Sequence, residues 1–196
     1  MFSVTVDNDI KLKLLTKQNT NELFEIVDNN RVFLKEWLPW VDGKNTVEEF
    51  ESSIEKWRNK YISNTGINAG IFFKEELVGM IAFPEIDWKG KKTSFGYWLS
   101  PDFEGKGIVG SCVKVLTSYA FKTLNLNRVE ISCAEDNLRS RALPEKLGFI
   151  KEGILRDNYY LNGRLHNLVV YSLLKSDWEK RRITDELKDY VGIREI

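Results

Sequence analysis

Apolar and polar residues near the amino terminus follow first the spacing of a strand and then that of a helix. Apolar residues alternate with lysines from Ile10 to Leu14, as in a half-buried strand. The polar run 19–22 provides a cap for a helix whose apolar stripe follows it. Thr46-Val47-Glu48-Glu49 has the form of a capping box and predicts a second helix over about 46–63. This part of the chain therefore predicts one strand and two helices.

The middle of the chain has the pattern of three strands, a helix and another strand. The strand-like runs are Ile67 to Phe73, Leu77 to Phe83 and Lys92 to Leu99, and they predict an antiparallel meander. Apolar residues recur at helical spacing after Gly107, and an alternating run around Ile131 follows that helix. Because a crossover helix returns the chain to the same edge of a sheet, this last unit predicts a parallel pair of strands.

The remaining pattern predicts a short helix over about 139–147, a hairpin and a charged helical tail. The two last strands flank Leu161-Asn162-Gly163-Arg164, in which Asn-Gly is the strongest short hairpin signal. No repeat, low-complexity stretch or linker divides the chain. We predict one α+β domain over residues 1–196, with 175–196 a charged C-terminal helical tail. Its core is a central mixed, mostly antiparallel twisted sheet flanked by helices.

Composition and charge exclude several classes of function. The 196 residues suffice to bury a core without a metal or a disulfide. The 29 Lys plus Arg balance the 29 Asp plus Glu, so the field is too weak for nucleic acid as a main partner. The amino terminus lacks the pattern of a secretory signal, and no apolar run reaches about 18 residues. We therefore expect a cytoplasmic protein with no membrane association.

The two cysteines and the single histidine do not have the spacing of a metal site. Cys112 and Cys133 lie within apolar periodic segments, with neither Cys-x-x-Cys spacing nor a nearby histidine. We expect both cysteines to be small core residues. We expect His166, just after the hairpin turn, to face solvent, although histidine is the side chain that titrates nearest neutrality.

A glycine-rich turn joins the third strand of the meander to the following helix. The segment runs from Gly96 through Pro101 to Gly110 and contains Glu104-Gly105-Lys106-Gly107. Unpaired N–H groups at a helix start can bind a phosphate or pyrophosphate, and glycines let the anion approach the backbone. The alternative is a tight turn in which glycine serves only the backbone conformation.

Four ordered motifs give the chain a resemblance to a known family. They are Gly96-Tyr97-Trp98-Leu99, the Gly-Lys-Gly turn, Asn137-Leu138-Arg139-Ser140 and the Leu147-Gly148-Phe149 that closes a helix. Together they resemble the GNAT superfamily of acetyl-CoA-dependent N-acetyltransferases. Trp37-Leu38-Pro39-Trp40 and the closing hairpin are similar to its RimJ/RimL branch, which acetylates the amino termini of ribosomal proteins. The resemblance covers about residues 8 to 180.

The resemblance implies acetyl-CoA as cofactor and a set of residues that bind it. The pyrophosphate loop of the family corresponds to Glu104, Gly105, Lys106, Gly107, Ile108, Val109 and Gly110. Two positions depart from the family pattern, because Glu104 replaces Gln or Arg and Val109 replaces a small residue. We expect weakened but retained binding of the diphosphate, with Lys106 partly offsetting the charge of Glu104.

The same resemblance implies roles for the strand before the loop and for the helix after the next strand. In the family the strand is bulged, and its backbone near Trp98 and Leu99 binds pantetheine and polarises the thioester carbonyl. Asn137 corresponds to an asparagine that contacts pantetheine, and it could equally cap the helix. Ser140 corresponds to a hydroxyl beside the sulfur, as a catalytic acid or as a cap. The tyrosine that many relatives use as acid is here Pro144.

The usual general base has no counterpart in this sequence. The resemblance places Ser94 and Tyr159 where relatives commonly carry two glutamates. Glu85, Asp87 and Glu130 are acidic substitutes in the sheet region, although exposed charges or ion-pair partners are commoner at such positions. An α-amine with a pKa of about 7.7 is neutral far more often at pH 7 than a lysine amine with a pKa of about 10.4. The absence of a strong general base therefore favours an α-amine as the acceptor.

The sequence therefore predicts an N-acetyltransferase that acts on the α-amine of a protein or peptide by direct transfer in a ternary complex. Phe33, Trp37, Trp40 and Trp57 are candidates for the acceptor groove or for the core. Two alternatives stay open. One is a small-molecule acetyltransferase for a polyamine, an amino acid or an antibiotic, and the other is a non-catalytic acyl-CoA-binding protein. The branch often forms dimers, which implies a homodimer here.

Overall fold

The computed structural model describes residues 2–181, in which a nine-stranded sheet carries helices on both faces. The strands are β1 (Ser3–Thr5), β2 (Ile10–Leu14), β3 (Ile67–Phe73), β4 (Glu76–Phe83), β5 (Ile86–Asp87), β6 (Lys92–Leu99), β7 (Arg128–Ala134), β8 (Ile150–Leu161) and β9 (Arg164–Leu174). The helices are α1 (Thr20–Asn29), α2 (Arg31–Leu34), α3 (Val47–Ile62), α4 (Ile108–Lys122) and α5 (Leu138–Lys146). Short 3₁₀ segments lie at Lys17–Asn19, Pro39–Val41 and Pro101–Phe103.

The sheet has the mixed, mostly antiparallel order that the pattern predicts. Its strands follow the order β1-β2-β3-β4-β6-β7-β9-β8, with β5 paired to β6. The pair β6–β7 is parallel, and α4 is the crossover between its two strands. The remaining pairs among the described residues are antiparallel. The predicted meander and the predicted parallel pair are therefore both present.

The parallel pair separates halfway along its length. Its register runs from Lys92 opposite Arg128 to Phe95 opposite Ile131. Beyond this point β6 stays paired with β4 as far as Leu99, and β7 stays paired with β9 as far as Ala134. The two strands thus diverge, and the backbone of β6 that faces β7 is left without a strand partner. This gap in the sheet is where a ligand can reach the main chain.

The opening arises from this divergence and not from the expected bulge in β6. From Gly96 to Leu99 the register of β6 against β4 runs without a shift. The expectation of a bulge near Trp98 and Leu99 is therefore wrong in this chain. Divergence of β6 from β7 exposes the backbone N–H and C=O groups that a bulge would expose, without an inserted residue. It can do so because β6 stays hydrogen-bonded to β4 and β7 stays hydrogen-bonded to β9.

Two apolar cores lie on opposite faces of the sheet. On one face α4 packs through Cys112 and Leu116 against β-strand residues such as Ile131, all nearly inaccessible to solvent. On the other face α3 packs through Phe50 and Ile54 against residues of β3 and β4. Cys112 and Cys133 are both buried in the first core, so their prediction as core residues is confirmed.

Several local predictions are confirmed in detail. Thr46 precedes α3, and its N–H donates to Glu49 Oε2 at 3.0 Å, as a capping box requires. Asn162 and Gly163 have positive φ values of 50° and 79°, which is the geometry of a two-residue hairpin turn. Gly107 caps α4 with φ 75°, a conformation that glycine adopts without strain.

The pattern did not predict β1, α2 or β5, because each has only two to four residues and too little periodicity to detect. Residues 175–181 are helical, while the rest of the predicted tail lies outside the described residues. None of the helices described within residues 2–181 is both long and apolar enough to cross a membrane.

Candidate active site

One cavity of about 720 Å³ occupies the gap between β6 and β7. The ends of these strands, the start of α4, the helix α5 and the segment around α2 form its walls. Every predicted cofactor-binding residue except Lys106 lines it, namely Trp98, Leu99, Glu104, Gly105, Gly107, Ile108, Val109, Gly110, Asn137 and Ser140. The tertiary structure thus brings the separate sequence motifs together around one space.

The glycine-rich turn gives this cavity an anion-binding end. Gly105 and Gly107 both have left-handed φ values, of 74° and 75°, and a Cβ added to either would meet no atom within 4 Å. The first hydrogen bond of α4 runs from Ser111 N–H to Gly107 O, so the N–H groups of Ile108, Val109 and Gly110 precede it. These open positions and free donors at a helix start fit a diphosphate.

The charge of Glu104 is neutralised by Arg139 and not by Lys106. Arg139 Nη1 lies 2.6 Å from Glu104 Oε2. Lys106 Nζ donates to the carbonyl of Asp102 at 2.9 Å and lies 4.5 Å from the ring centroid of Phe103. The expectation that Lys106 offsets Glu104 is therefore wrong. The long lysine stem packs on an aromatic ring instead, which leaves only the Lys106 backbone available to a cofactor.

The start of α5 resolves which residue caps the helix. Asn137 Oδ1 accepts the N–H of Ser140 at 3.0 Å, which makes Asn137 the N-cap and leaves its amide nitrogen for a ligand. Ser140 is the third residue of α5, and its hydroxyl makes no cap hydrogen bond. The alternative of Ser140 as a helix cap is thus removed.

The Ser140 hydroxyl instead contacts the side chains of Tyr97, which also lines the cavity, and of Cys133, which is buried. Ser140 Oγ lies 3.3 Å from Tyr97 Oη, on β6, and 3.2 Å from Cys133 Sγ, on β7. Burial raises the pKa of the Tyr97 phenol, and burial likewise raises the pKa of the Cys133 thiol. Both groups are therefore protonated hydrogen-bond partners at neutral pH. The sequence motif contained Tyr97, but nothing in its spacing indicated that it would meet Ser140.

Part of the cavity wall is aromatic, and the β8–β9 hairpin holds this part in place. Phe33 and Trp37 line it, as two of the four aromatic candidates. Tyr159 Oη donates to the carbonyl of Trp37 at 3.0 Å, and Asn162 Nδ2 donates to the carbonyl of Glu36 at 3.2 Å. The β8–β9 hairpin thus fixes the segment that follows α2. The other two candidates, Trp40 and Trp57, pack in the core on the α3 face.

His166 is buried, which contradicts the expectation that it faces solvent. Only 7% of the residue is exposed. It lies opposite Tyr159 in the β8–β9 register, with its ring centroid 6.3 Å from that of Trp37. Its Nε2 accepts a hydrogen bond from Arg164 Nε at 3.0 Å, and its Nδ1 lies 3.5 Å from Asp136 Oδ2. The sequence did not reveal the burial of His166, because its position just after the hairpin turn suggested exposure.

The acidic substitutes proposed for a general base lie away from the cavity. Glu130 pairs with Arg128 Nε at 2.6 Å, and Asp87 Oδ1 accepts the N–H of Gly90 at 2.7 Å. Neither residue lines the cavity, and Glu85 does not line it either. The acidic residues that do line it are Glu36, Glu104 and Asp136. Within residues 2–181, a carboxylate that meets a ligand in this cavity therefore comes from this second set.

Comparisons with known proteins agree with the architecture of this site. A family model described as an acetyltransferase (GNAT) domain matches residues 9–150. YdaF of Bacillus subtilis (strain 168), named "Putative ribosomal N-acetyltransferase", is 40% identical over 180 residues, which cover 91% of this chain and 98% of YdaF.

Two solved structures are also similar over most of their length. The microcin C7 self-immunity acetyltransferase MccE, in complex with acetyl-CoA and AMP, has a TM-score of 0.83 and 27% identity. That match covers 87% of this chain and 95% of MccE. An acetyl transferase described as modifying the N-terminal serine of the 50S ribosomal subunit protein L7/L12, from Salmonella typhimurium, has a TM-score of 0.80 and 26% identity. That match covers 88% of this chain and 99% of the Salmonella typhimurium chain.

Proposed function

This chain belongs to the GNAT acetyltransferase family, and we propose that it acetylates the N-terminal α-amine of a protein, with ribosomal proteins as the substrate class. It is an acetyl-CoA-dependent N-acetyltransferase. The observation that carries the proposal is one cavity lined by the glycine-rich turn, by Ser140 and by the aromatic residues Phe33 and Trp37. A cofactor bound at the glycine-rich turn and an amine in the same cavity would meet beside Ser140.

The residues present fit acetyl-CoA, which when bound supplies an acetyl thioester. The backbone N–H groups of Ile108, Val109 and Gly110 would hold its diphosphate at the start of α4. The unpaired edge of β6 from Gly96 to Leu99 would bind the pantetheine arm and polarise the thioester carbonyl. The amide nitrogen of Asn137 would be a further donor from the cavity wall.

We propose that the acetyl group passes directly to the amine in a ternary complex. A covalent route would need an activated thiolate, but burial raises the pKa of Cys112 to about 12, and Cys112 does not line the cavity. The Cys133 thiol is also buried, and its pKa is raised. Direct attack requires positioning and carbonyl polarisation, which the backbone of the divergent strands provides.

Ser140 is placed in this proposal as the acid that protonates the leaving thiolate. Its hydroxyl lies on the cavity wall, beside the position of the thioester sulfur that the family resemblance implies. Tyr97, which lines the same cavity, and Cys133 can both donate to Ser140 Oγ, since both stay protonated. A hydroxyl has one proton and two acceptor sites, so two such donors leave its proton free for the leaving sulfur.

An α-amine suits a site without a strong base. At pH 7 an amine with a pKa of about 7.7 is neutral roughly one time in six, whereas a lysine amine is neutral roughly once in 2,500. The relatives named above support a protein amino terminus, since one is described as ribosomal and another as modifying an N-terminal serine. A ribosomal substrate would be met in the cytoplasm, where we place the protein.

We propose that residues 1–196 form one acetyltransferase domain. The part of the C-terminal tail that the structure describes, residues 175–181, is helical, and Trp178 in it packs 5.5 Å from Phe121 between ring centroids. This contact supports a tail that belongs to the domain. That the protein forms a homodimer stays a prediction, and sedimentation equilibrium would measure its oligomeric state.

A panel of acceptors tests the proposed function. Release of CoA is measured with acetyl-CoA and three classes of amine: peptides that copy ribosomal amino termini, the same peptides with a blocked terminus but an internal lysine, and spermidine. We expect the free-terminus peptides to be acetylated and the blocked ones to be inert. Faster acetylation of spermidine would overturn the protein substrate and favour the small-molecule alternative. Absence of CoA release with all three would favour a non-catalytic acyl-CoA-binding protein.

A further inference from the structure

Among the acidic residues that line the cavity, Asp136 has a partly exposed carboxylate that other side chains hold in place. It lies two residues after the end of β7 and directly before Asn137, which also lines the cavity. Its side chain is 59% exposed. The Glu104 side chain is only 31% exposed, and its ion pair with Arg139, at 2.6 Å, is shorter than the 3.2 Å pair of Asp136 with Arg164. Asp136 is therefore accessible to a ligand that enters from outside.

Two residues of β9 hold the Asp136 carboxylate through one oxygen. Arg164 Nη2 lies 3.2 Å from Oδ2, and His166 Nδ1 lies 3.5 Å from the same oxygen. Because Arg164 Nε donates to His166 Nε2, the ring proton of a neutral His166 is on Nδ1, the nitrogen nearest to Asp136. Among the residues that the structure describes, Oδ1 of Asp136 has no hydrogen-bond partner. One oxygen is thus held and the other is free for a further donor.

The geometry points to Asp136 as the carboxylate that binds the ammonium group of the acceptor, with Arg164 and His166 as positioning residues. Primary amines arrive mostly protonated at neutral pH, and an ammonium presents three N–H donors. A charge-assisted hydrogen bond to Oδ1 would hold the amine beside the cavity where the thioester lies. This role of Asp136 rests on the proposed acetylation of amines. It applies to an α-amine and to any other primary amine, and in that respect it goes beyond the proposed function.

The ordinary pKa values of a carboxyl group and an ammonium group decide whether a carboxylate binds the ammonium or removes its proton. Aspartate carboxyl groups ordinarily titrate about four pKa units below an α-ammonium, so proton transfer between them is unfavourable by about 10⁴-fold. A charge-assisted hydrogen bond has no such cost. Asp136 therefore selects and orients the cationic amine, and the proton leaves to water before the neutral amine attacks.

Binding measured without turnover tests this inference. The protein saturated with CoA, which carries no acetyl group, is titrated by calorimetry with a serine-initiated peptide and with spermidine. We expect Asp136→Asn to weaken amine binding by about 10- to 100-fold, the usual effect of losing a charged hydrogen-bond partner. Affinity for CoA should stay within about two-fold of the parent. Glu85→Gln removes an equal charge outside the cavity and should bind the amine as the parent does.

The outcomes separate this inference from the proposed function. If the parent binds spermidine but not the peptide, and Asp136→Asn weakens spermidine, the protein substrate fails while the role of Asp136 stands. Equal amine affinity in Asp136→Asn and the parent overturns the role of Asp136. A parent that binds neither amine overturns it as well.

A double variant tests the positioning residues. Arg164→Gln should weaken amine binding by a smaller factor than Asp136→Asn, because it removes one of the contacts that orient the carboxylate. In the Asp136→Asn background the same change should have no further effect, since nothing is left to orient. Arg156→Gln is the matched control in β8. Additive effects of Arg164→Gln and Asp136→Asn would mean that Arg164 acts independently of Asp136.

Discussion

The phenol oxygen of Tyr97 lies 3.3 Å from the hydroxyl oxygen of Ser140, across the gap where β6 and β7 diverge. The two residues are 43 positions apart in sequence and line the same cavity. The family tyrosine that commonly serves as acid is replaced by Pro144 within α5. The divergent strand β6 thus places a different phenol within hydrogen-bond distance of the Ser140 hydroxyl.

Replacing Ser140 by alanine should reduce turnover without weakening the cofactor complex. If its hydroxyl protonates the leaving thiolate, kcat should fall by about 10²-fold or more, while affinity for CoA stays close to that of the parent. Steady-state kinetics and calorimetry measure the two quantities. Ser132→Ala, on the exposed side of β7, is the control. Normal turnover in Ser140→Ala would mean that the thiolate leaves unassisted or takes its proton from water.

Tyr97→Phe should reduce kcat by about ten-fold, less than Ser140→Ala does. The change removes the donor to Ser140 Oγ and keeps the ring that packs in the core. Because Tyr97 acts through Ser140, the double variant Tyr97→Phe/Ser140→Ala should be no slower than Ser140→Ala alone. Tyr160→Phe, an exposed tyrosine of β8, should behave as the parent. A double variant slower by the product of both factors would contradict this coupling.

Gly107→Glu should abolish the stabilisation that acetyl-CoA gives the protein. A ligand at 100 times its dissociation constant stabilises the folded state by about 2.7 kcal/mol. A carboxylate at this position would face the diphosphate and repel it. Gly163→Glu is a matched control, since Gly163 has a similar φ of 79° but lies at the hairpin turn. Thermal unfolding with and without acetyl-CoA measures the effect, and a full ligand-induced rise in Gly107→Glu would exclude this binding site.

Glu104→Gln should tighten CoA binding by roughly two- to five-fold, the range of a partly exposed ion pair. The substitution restores a residue of the family pattern, removes a negative charge beside the diphosphate and releases Arg139 from its ion pair. Calorimetry with CoA measures the change, and Glu25→Gln on the exposed side of α1 is the control. Weaker binding in Glu104→Gln would mean that the ion pair itself shapes the site.

The pair Arg128–Glu152 should contribute stability that is lost in acid. Hydrogen bonds from Arg128 and Ser172 lower the pKa of Glu152 to about 2, from the usual value near 4.5. A lowered pKa in the folded state means that the contribution is present above about 4.5 and disappears as the pH falls towards about 2.

Melting temperatures between pH 6 and pH 2.5 should therefore fall less steeply for Glu152→Gln than for the parent. Because 41% of the Glu152 side chain is exposed, added salt should reduce the difference. Parallel curves for Glu152→Gln and the parent would show that the pair contributes nothing to acid sensitivity.

Hydrophobic periodicity, turn residues and motif order determined the longer helices and strands and the family of this protein. Ile10 to Leu14, the capping box at Thr46 and the Asn162-Gly163 turn depend on neighbours a few positions away, so local sequence specifies them. The motif order likewise indicated the GNAT fold and acetyl-CoA, which the family match confirms.

Only the tertiary structure decided how separate segments meet. The contact of Tyr97 with Ser140, the ion pair of Glu104 with Arg139 and the burial of His166 beside Asp136 all join residues of different elements. They depend on strand divergence and on the register of β9, which no local pattern encodes. Lysine and arginine side chains are also long enough to reach several partners, so Arg139 pairs with Glu104 in place of the expected Lys106.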